Sequence, residues 1–297
     1  MRFQLLSISF LLLLSYPAAA EYIPPSEISV STPAITPEVK EFREGVYYYD
    51  VSWQGVVVAS IRIVVERGNL GSETPPYAYV RVTAKSAKVI DLFYKLRHTS
   101  ESLFRSDTFA PISYFTFQRE NSRKKYREVL FTDSGKIRSR RWKNGKSRGD
   151  LEFETGNPTL DPITAAFLAR TPQLEIGKSV TVDVFNGKHR FLITFSVDAK
   201  DTIEVGGVQR EAYKVVPRVT RLTDTKEERR LKSAALWISA DKSRDILRLE
   251  SDVWIGSVKA EFDRYEPSVP APLPLEAKSL RARMEQARVS ASPLASR

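Results

Sequence analysis

From about Glu41 to Tyr265 the chain is a succession of short apolar and β-branched runs punctuated by turn residues, the pattern of neighbouring strands. GVYYYDVSW and GVVVASIRIVVE meet at Gln54-Gly55, which predicts a tight hairpin. YAYVRVTAKSAK alternates, with Ala78, Val80, Val82 and Ala84 on one face and Tyr77, Tyr79, Arg81, Thr83 and Lys85 on the other. ISYFTFQRE, KKYREVLFTD and KIRSRRWK continue the meander, with turns at Asp133-Ser134-Gly135 and Asn144-Gly145. VTVDVF, HRFLITFSVDA, EAYKVVPRVTR, LKSAALWIS, ILRLESDVWIG and SVKAEFDRY follow, with Asn186-Gly187 and Gly206-Gly207 as turns that accept positive φ.

One helix interrupts these strands. Asp161 as N-cap and Pro162 at the first helical position start it, and Ile163, Ala166 and Phe167 give it an apolar stripe. The spacing predicts a helix over Leu160–Arg170 packed on one end or face of the sheet. A parallel α/β fold needs a crossover helix between most strands, so the chain reads as all-β. The expected architecture is a large antiparallel meander forming a strongly curved sheet or barrel, with one short packed helix and a C-terminal helical tail. This β-rich domain spans 41–266. Residues 21–40 read as a flexible lead-in rich in Pro, Ser and Thr, and 267–297 as a Pro-rich spacer and basic tail. Residues 1–20 read as a signal peptide: Arg2, the apolar run Leu5–Leu14, the helix breaker Pro17, then Ala18-Ala19-Ala20. A periplasmic location follows, with secretion as the alternative.

Composition narrows the chemistry. The 297 residues include no cysteine, which excludes disulfides, a thiol nucleophile, thiolate metal sites and a lipid-modified cysteine. No later run reaches the eighteen or so apolar residues of a membrane-spanning helix. Net charge is +10, and its distribution is uneven. Between Arg119 and Arg148 twelve Lys and Arg face only Glu120, Glu128 and Asp133, so this segment carries nearly the whole excess. Arg outnumbers Lys there, which suits forked hydrogen bonding to phosphate or carboxylate. Pairing through the Asp133–Lys136 turn is expected to put Lys125, Arg127, Arg138 and Arg140 on related faces, with Tyr126 and Trp142 among them. Arg123, Lys125, Arg127, Arg138, Arg140, Arg141 and Trp142 are the candidate ligand-binding residues. The competing explanation is charge that blocks edge-to-edge aggregation of exposed strands. Export argues against nucleic acid as the partner. The anions available in an envelope are lipid, lipopolysaccharide and acidic glycan, and an acidic protein partner is a further candidate.

No catalytic or metal-binding residue and no cofactor is assigned. His98 and His189 lack metal-ligand spacing, and each is expected in a surface or half-buried structural role. Glu227-Glu228 reads as part of a solvated charge run, and Asp241 with Asp245 as turn residues. Aromatic residues on both strand faces (Tyr47, Tyr49, Trp53, Phe191, Phe195, Trp237 among them) suggest one face against the helix and another lining a concave cavity for an apolar or acyl-bearing ligand.

The motifs in order, Tyr49-Asp50-Val51-Ser52-Trp53-Gln54-Gly55, Asp161…Arg170, Leu236-Trp237-Ile238-Ser239-Ala240-Asp241 and Ile255-Gly256-Ser257-Val258-Lys259-Ala260, resemble domain-of-unknown-function family 3108 of bacterial exported proteins. The resemblance implies an envelope location and a β-rich fold and carries no catalytic residue. One departure is Asp245-Ile246-Leu247, where the family often has a proline-containing turn. The expected function is non-enzymatic binding of an anionic or acyl-bearing envelope component. The alternatives are an enzyme acting on cell-wall or extracellular polysaccharide and a scaffold for an acidic protein.

Overall fold

In the computed structural model, residues 43–68, 76–170, 174–222, 233–252 and 256–267 are described, together with Val30. The expected signal peptide, nearly all of the lead-in, the tail over 268–297 with its expected helix, and Glu227-Glu228 lie outside the described residues.

Among the described residues fifteen strands form one sheet. The first eight are β1 (Gly45–Trp53), β2 (Val56–Gly68), β3 (Tyr77–Ser86), β4 (Leu96–Arg105), β5 (Pro111–Glu120), β6 (Arg123–Phe131), β7 (Lys136–Lys143) and β8 (Lys146–Glu154). After the short β9 (Thr159–Leu160) and helix α1 (Pro162–Leu168) come β10 (Ser179–Phe185), β11 (Arg190–Val205), β12 (Val208–Arg221), β13 (Ser233–Ser239), β14 (Ile246–Asp252) and β15 (Ser257–Pro267). The spatial order runs from β8 down to β1 and then from β15 down to β9. From β1 at mid-sheet the strands therefore meander to one edge, jump from β8 to β9 and meander back to pair β15 with β1. All pairings are antiparallel except that of β9 with β10. β8 and β9 end the sheet on opposite edges without pairing, so it rolls up without closing as a hydrogen-bonded barrel.

Turn chemistry sets the registers. Gln54-Gly55 and Asn144-Gly145 have paired positive φ values (48° and 82°, 51° and 78°), the twist that suits two-residue hairpins. Because strands alternate in direction, the turns gather at two ends. Gln54-Gly55, the β3–β4 loop, Asn121-Ser122, Asn144-Gly145 and Asn186–His189 lie at one end, called here the rim. Arg43, Asp133–Gly135, Gly206-Gly207 and Asp241–Arg244 lie at the other, the base.

The roll overlaps itself. Ser139 Oγ donates to the Gly187 carbonyl at 2.7 Å, and Phe153 of β8 meets Phe185 of β10 edge-on at 5.0 Å. β10 is therefore covered on both faces, and VTVDVF reads as a nearly continuous apolar run for that reason. Its Asp183 is buried with Arg190, whose Nε donates to Asp183 Oδ1 at 2.9 Å, while Thr159 Oγ1 donates to Oδ2 at 2.9 Å.

The helix is shorter than the spacing predicts. Asp161 stays extended and accepts from the Ile163 and Thr164 amides at 2.8 and 3.1 Å, while Leu160 pairs with Val184 instead of joining the helix. α1 lies on the concave face. Ser102 of β4 donates to Asp161 Oδ2 at 2.6 Å, Phe167 meets Phe104 at 5.9 Å, and Arg170 donates to the Ser243 and Arg244 carbonyls at the base. The concave face that was expected to line a cavity is, toward the base, the face that holds the helix and the aromatic core. Phe104 and Phe109 are completely buried there, each contributing roughly 2–3 kcal/mol by burial.

Candidate functional site

The inner face of β4–β7 changes character along its length. Toward the base it presents Phe104, Tyr114, Val129, Phe131 and Ile137. Toward the rim it presents His98, Ser100, Thr116 and Gln118, all buried, followed by Lys125, Arg127 and Arg141.

The β6–β7 register corrects the expected single basic face. Lys125 pairs with Lys143 and Arg127 with Arg141, in phase with the buried Val129 and Ser139, so these cations share the inner side. Tyr126 pairs with Trp142, Glu128 with Arg140 and Leu130 with Arg138, so Arg138, Arg140 and Trp142 share the outer side. Period-two alternation divides the patch between two surfaces. Arg123 is exposed at the rim. The outer cations are largely balanced by β8: Arg138 meets Glu152 at 2.6 Å, Lys136 shares that carboxylate, and Arg140 lies 3.9 Å from Asp150. Edge protection also falls elsewhere than expected, since β6 and β7 are paired on both sides and the largely exposed β8 is the edge.

Distant segments complete the inner group. The β10–β11 turn reaches beneath β6 and β7, where Asn186 Oδ1 accepts from the Lys188 and His189 amides at 2.9 and 2.7 Å. Gly187 is required there. Its φ is +85°, and a Cβ on it would lie 3.0 Å from Val129 Cγ2 and 3.3 Å from Arg127 Cβ. From the rim end of β12, Arg221 Nη2 donates to His189 Nδ1 at 2.7 Å. Arg141 Nη2 donates to the Arg148 carbonyl at 3.1 Å, which fixes its guanidinium.

These cations act on one another. Burial pushes the Lys188 ammonium down to about 8, and Arg127, Arg221, Arg141 and Lys125 add to the shift. Burial lowers Arg127 as well; the Tyr114 hydroxyl opposes this and Arg141 reinforces it. His189 is depressed to about 2, first by burial and then by Lys188, Arg221, Arg127 and Arg141. His98 falls to about 3 by burial and then by Arg127. Lys125 is lowered by burial, with Glu120 at 3.4 Å working against it. Lys188, Arg127, Arg141, Arg221 and Lys125 thus converge where the dielectric is low and ordinary solvation is reduced, an arrangement suited to receiving an anion.

The sequence reading found Lys125, Arg127 and Arg141 but missed Lys188, His189 and Arg221, which join them only through the overlap of the roll. Asn186-Gly187 was visible as a turn; its insertion beneath β6 was not. Both histidines are buried, at 3% and 7% exposure, rather than superficial. Asp241 is a turn residue, accepting from the Ser243 amide and from Ser239 Oγ at 2.9 Å. Asp245 does more. Buried at the base, it pairs with Arg43 and lies 3.9 Å from Arg170. Among the described residues no group of three His, Cys, Asp or Glu is placed to hold a metal ion.

A rolled antiparallel sheet with a helix on its concave face and a cationic rim defines a β-barrel-like protein. Residues 48–263 match the family described as "Protein of unknown function (DUF3108)", and the chain belongs to that family. It is similar in fold to a β-barrel-like protein of domain-of-unknown-function family DUF1849 from Brucella abortus, at a TM-score of 0.51 and 10% identity, covering 76% of this chain and 98% of that one. A protein with a YmcC-like fold from Bacteroides fragilis aligns at a TM-score of 0.34 and 10% identity, over 76% of this chain and 97% of that one. Among curated proteins no relative matches. No helix among the described residues is long and apolar enough to cross a membrane.

Proposed function

We propose that the chain is a non-enzymatic envelope protein that binds an anionic head group, phosphate or carboxylate, among Arg127, Arg141, Lys188 and Arg221. The observation that carries this reading is the direct cross-strand pairing of Arg127 with Arg141 on the inner face, with Gly187 packed against Arg127 and Lys188 next to it. Like charges held together by the backbone repel one another, and a bound anion offsets that repulsion. Guanidinium forks favour oxygen pairs of the phosphate or carboxylate kind. The pattern of residues 1–20 supports export, and an exported protein meets such anions on lipids, lipopolysaccharide and acidic glycans. An acyl chain has less support, because α1 and its aromatic neighbours occupy the concave face toward the base.

Titration with inorganic pyrophosphate at low ionic strength tests the proposal. Saturation at one hundred times Kd raises unfolding stability by about 2.7 kcal/mol. The gain disappears in Arg127→Gln/Arg141→Gln and persists in Arg138→Ser/Arg140→Ser. An unchanged denaturation midpoint for the wild type in pyrophosphate, or loss of the effect in the outer-face variant, overturns it.

A further inference from the structure

The rim carries a second feature that the anion site does not use. Val89, Leu92 and Phe93 in the β3–β4 loop are 62%, 79% and 79% exposed, and Val56 and Val57 in the adjoining β1–β2 hairpin are 64% and 51% exposed. The two segments are neighbours, since the Ala87 amide donates to the Val58 carbonyl at 2.8 Å. Large apolar side chains gathered at one place on a surface mark a contact surface.

This tip is held in a defined shape. A 3-10 turn over Ile90–Leu92 projects Leu92 and Phe93, and Asp91 beneath them accepts from Ser86 Oγ at 2.5 Å and from Arg97 Nη1 at 2.9 Å. The Arg97 hydrogen bonds, with Ser86 next, hold the Asp91 carboxyl down at about 2, so it stays charged and clamped. The hairpin is braced by the β14–β15 turn: Gln54 N donates to the Ser257 carbonyl at 3.3 Å, and a Cβ on Gly256 would collide with the Gln54 side chain.

The tip is also tied to the basic turns beside it. Asn121 and Lys95 exchange two hydrogen bonds of 2.8 Å, amide to carbonyl and amide to Asn121 Oδ1. Asn144 and Lys124 repeat the arrangement at 2.8 and 2.7 Å. Both asparagines have φ near +50°, which turns the side-chain oxygen back to the preceding loop. Three loops are thereby joined into one edge. Along it the exposed Lys85 and Lys88 flank the apolar tip, and Arg123, Lys124, Lys143, Lys146 and Arg148 continue away from it. Asp91 and Glu120, carboxylates within these loops and strands, are engaged by Arg97 and Lys125, while Asp252 at the rim end of β14 accepts from Ser233 Oγ.

We propose that this rim docks end-on to an anionic lipid bilayer, with Leu92 and Phe93 entering the interface and the lysines and arginines meeting the head groups. Charge complementarity chooses this occupant. An apolar partner surface satisfies the tip alone and leaves the basic border unmatched, and an acidic protein surface satisfies only the border. A bilayer containing anionic lipid presents both, with a gain of roughly fivefold in affinity per basic side chain near the surface. The inference deepens the anion-binding reading, since it places the same mouth against head groups, but it rests on a different set of side chains.

Two measurements test it on the full chain. Co-sedimentation with vesicles of phosphatidylcholine and phosphatidylglycerol compares wild type, Leu92→Ser/Phe93→Ser and Arg127→Gln/Arg141→Gln. Wild type binds the mixed vesicles, and binding weakens by about an order of magnitude or more in the tip variant. The tip variant keeps its stabilisation by pyrophosphate, so failure of docking and failure of the anion site are separable. The chain has no cysteine, so Phe93→Cys and, at the base, Val208→Cys accept an environment-sensitive fluorophore at a single place. Emission from the first shifts toward that of an apolar medium on adding mixed vesicles, and emission from the second does not. The proposal is overturned by wild type that ignores mixed vesicles, by a tip variant that binds as well as wild type, or by a Phe93-site probe that stays in water. It is equally overturned if the tip mediates a dimer, lost in Leu92→Ser/Phe93→Ser, while vesicles go unbound.

Discussion

The base and the rim are built from the same strands and handle buried charge in opposite ways. At the base, one buried carboxylate, Asp245, serves two cations, Arg43 from the start of the described domain and Arg170 from the end of the helix. At the rim, Arg127, Arg141, Lys188 and Arg221 converge on one another. The Asp183–Arg190 pair shows how narrow the boundary is, since it flanks the same turn that delivers Lys188. At the base, paired charge fastens elements together; at the rim, like charges are grouped, and this is where the proposed anion would bind.

The sharpest way to break this contrast is to unpair a buried charge. Asp183→Ala removes the carboxylate that accepts from the buried Arg190 beside Phe153, and urea unfolding should show a loss of about 3–5 kcal/mol. A cost below about 1 kcal/mol makes the distinction meaningless. Next in size is His98. Its folded-state value of about 3 lies below the ordinary 6.5, so the unfolded chain binds more protons between those values. Stability is then present above about pH 6.5 and falls as pH drops toward 3. Between pH 7 and pH 4.5 His98→Gln should lose about 2–3 kcal/mol less than wild type, a difference in which any fixed cost of the substitution cancels.

Lys188 sharpens the rim side. Its ammonium titrates near 8 in the fold and near 10.5 when unfolded, so the unfolded chain again holds more protons across that window. Wild type should gain stability as pH rises from 8 to 10.5, by about 1 kcal/mol after allowing for its half exposure, and Lys188→Met should lack that gain. The smallest effect belongs to the outer face. Arg138→Ser breaks an exposed pair with Glu152, and calorimetry should register less than about 1 kcal/mol.

Much of the fold was legible because local chemistry and tertiary structure agree. Gln54-Gly55, Asn144-Gly145 and the Asp161-Pro162 helix start all act where their residue types imply. Besides the two-residue β9, two strands escaped notice for opposite reasons. β4 turns His98, Ser100 and Ser102 inward, which hides its buried face behind polar letters, while β8 is an exposed edge with few apolar residues. Half of the site was visible as charge density between Arg119 and Arg148. Its division into inner and outer sides follows from pairing register, and the contribution of Lys188, His189 and Arg221 follows from one edge of the sheet sliding beneath the other. Neither is a property of any local run of residues.

β1 and β15 lie side by side, with Gly45 opposite Pro267. The outer ends of the first and last strands thus lie at one pole, and among the described residues the opposite pole is made of turns between strands. A permuted chain that splices those two positions together and is cut at Gly206-Gly207 keeps every rung of the ladder. Anything fused through Arg43 or Pro267 is tethered on the side away from Phe93, leaving the far pole free to make contact.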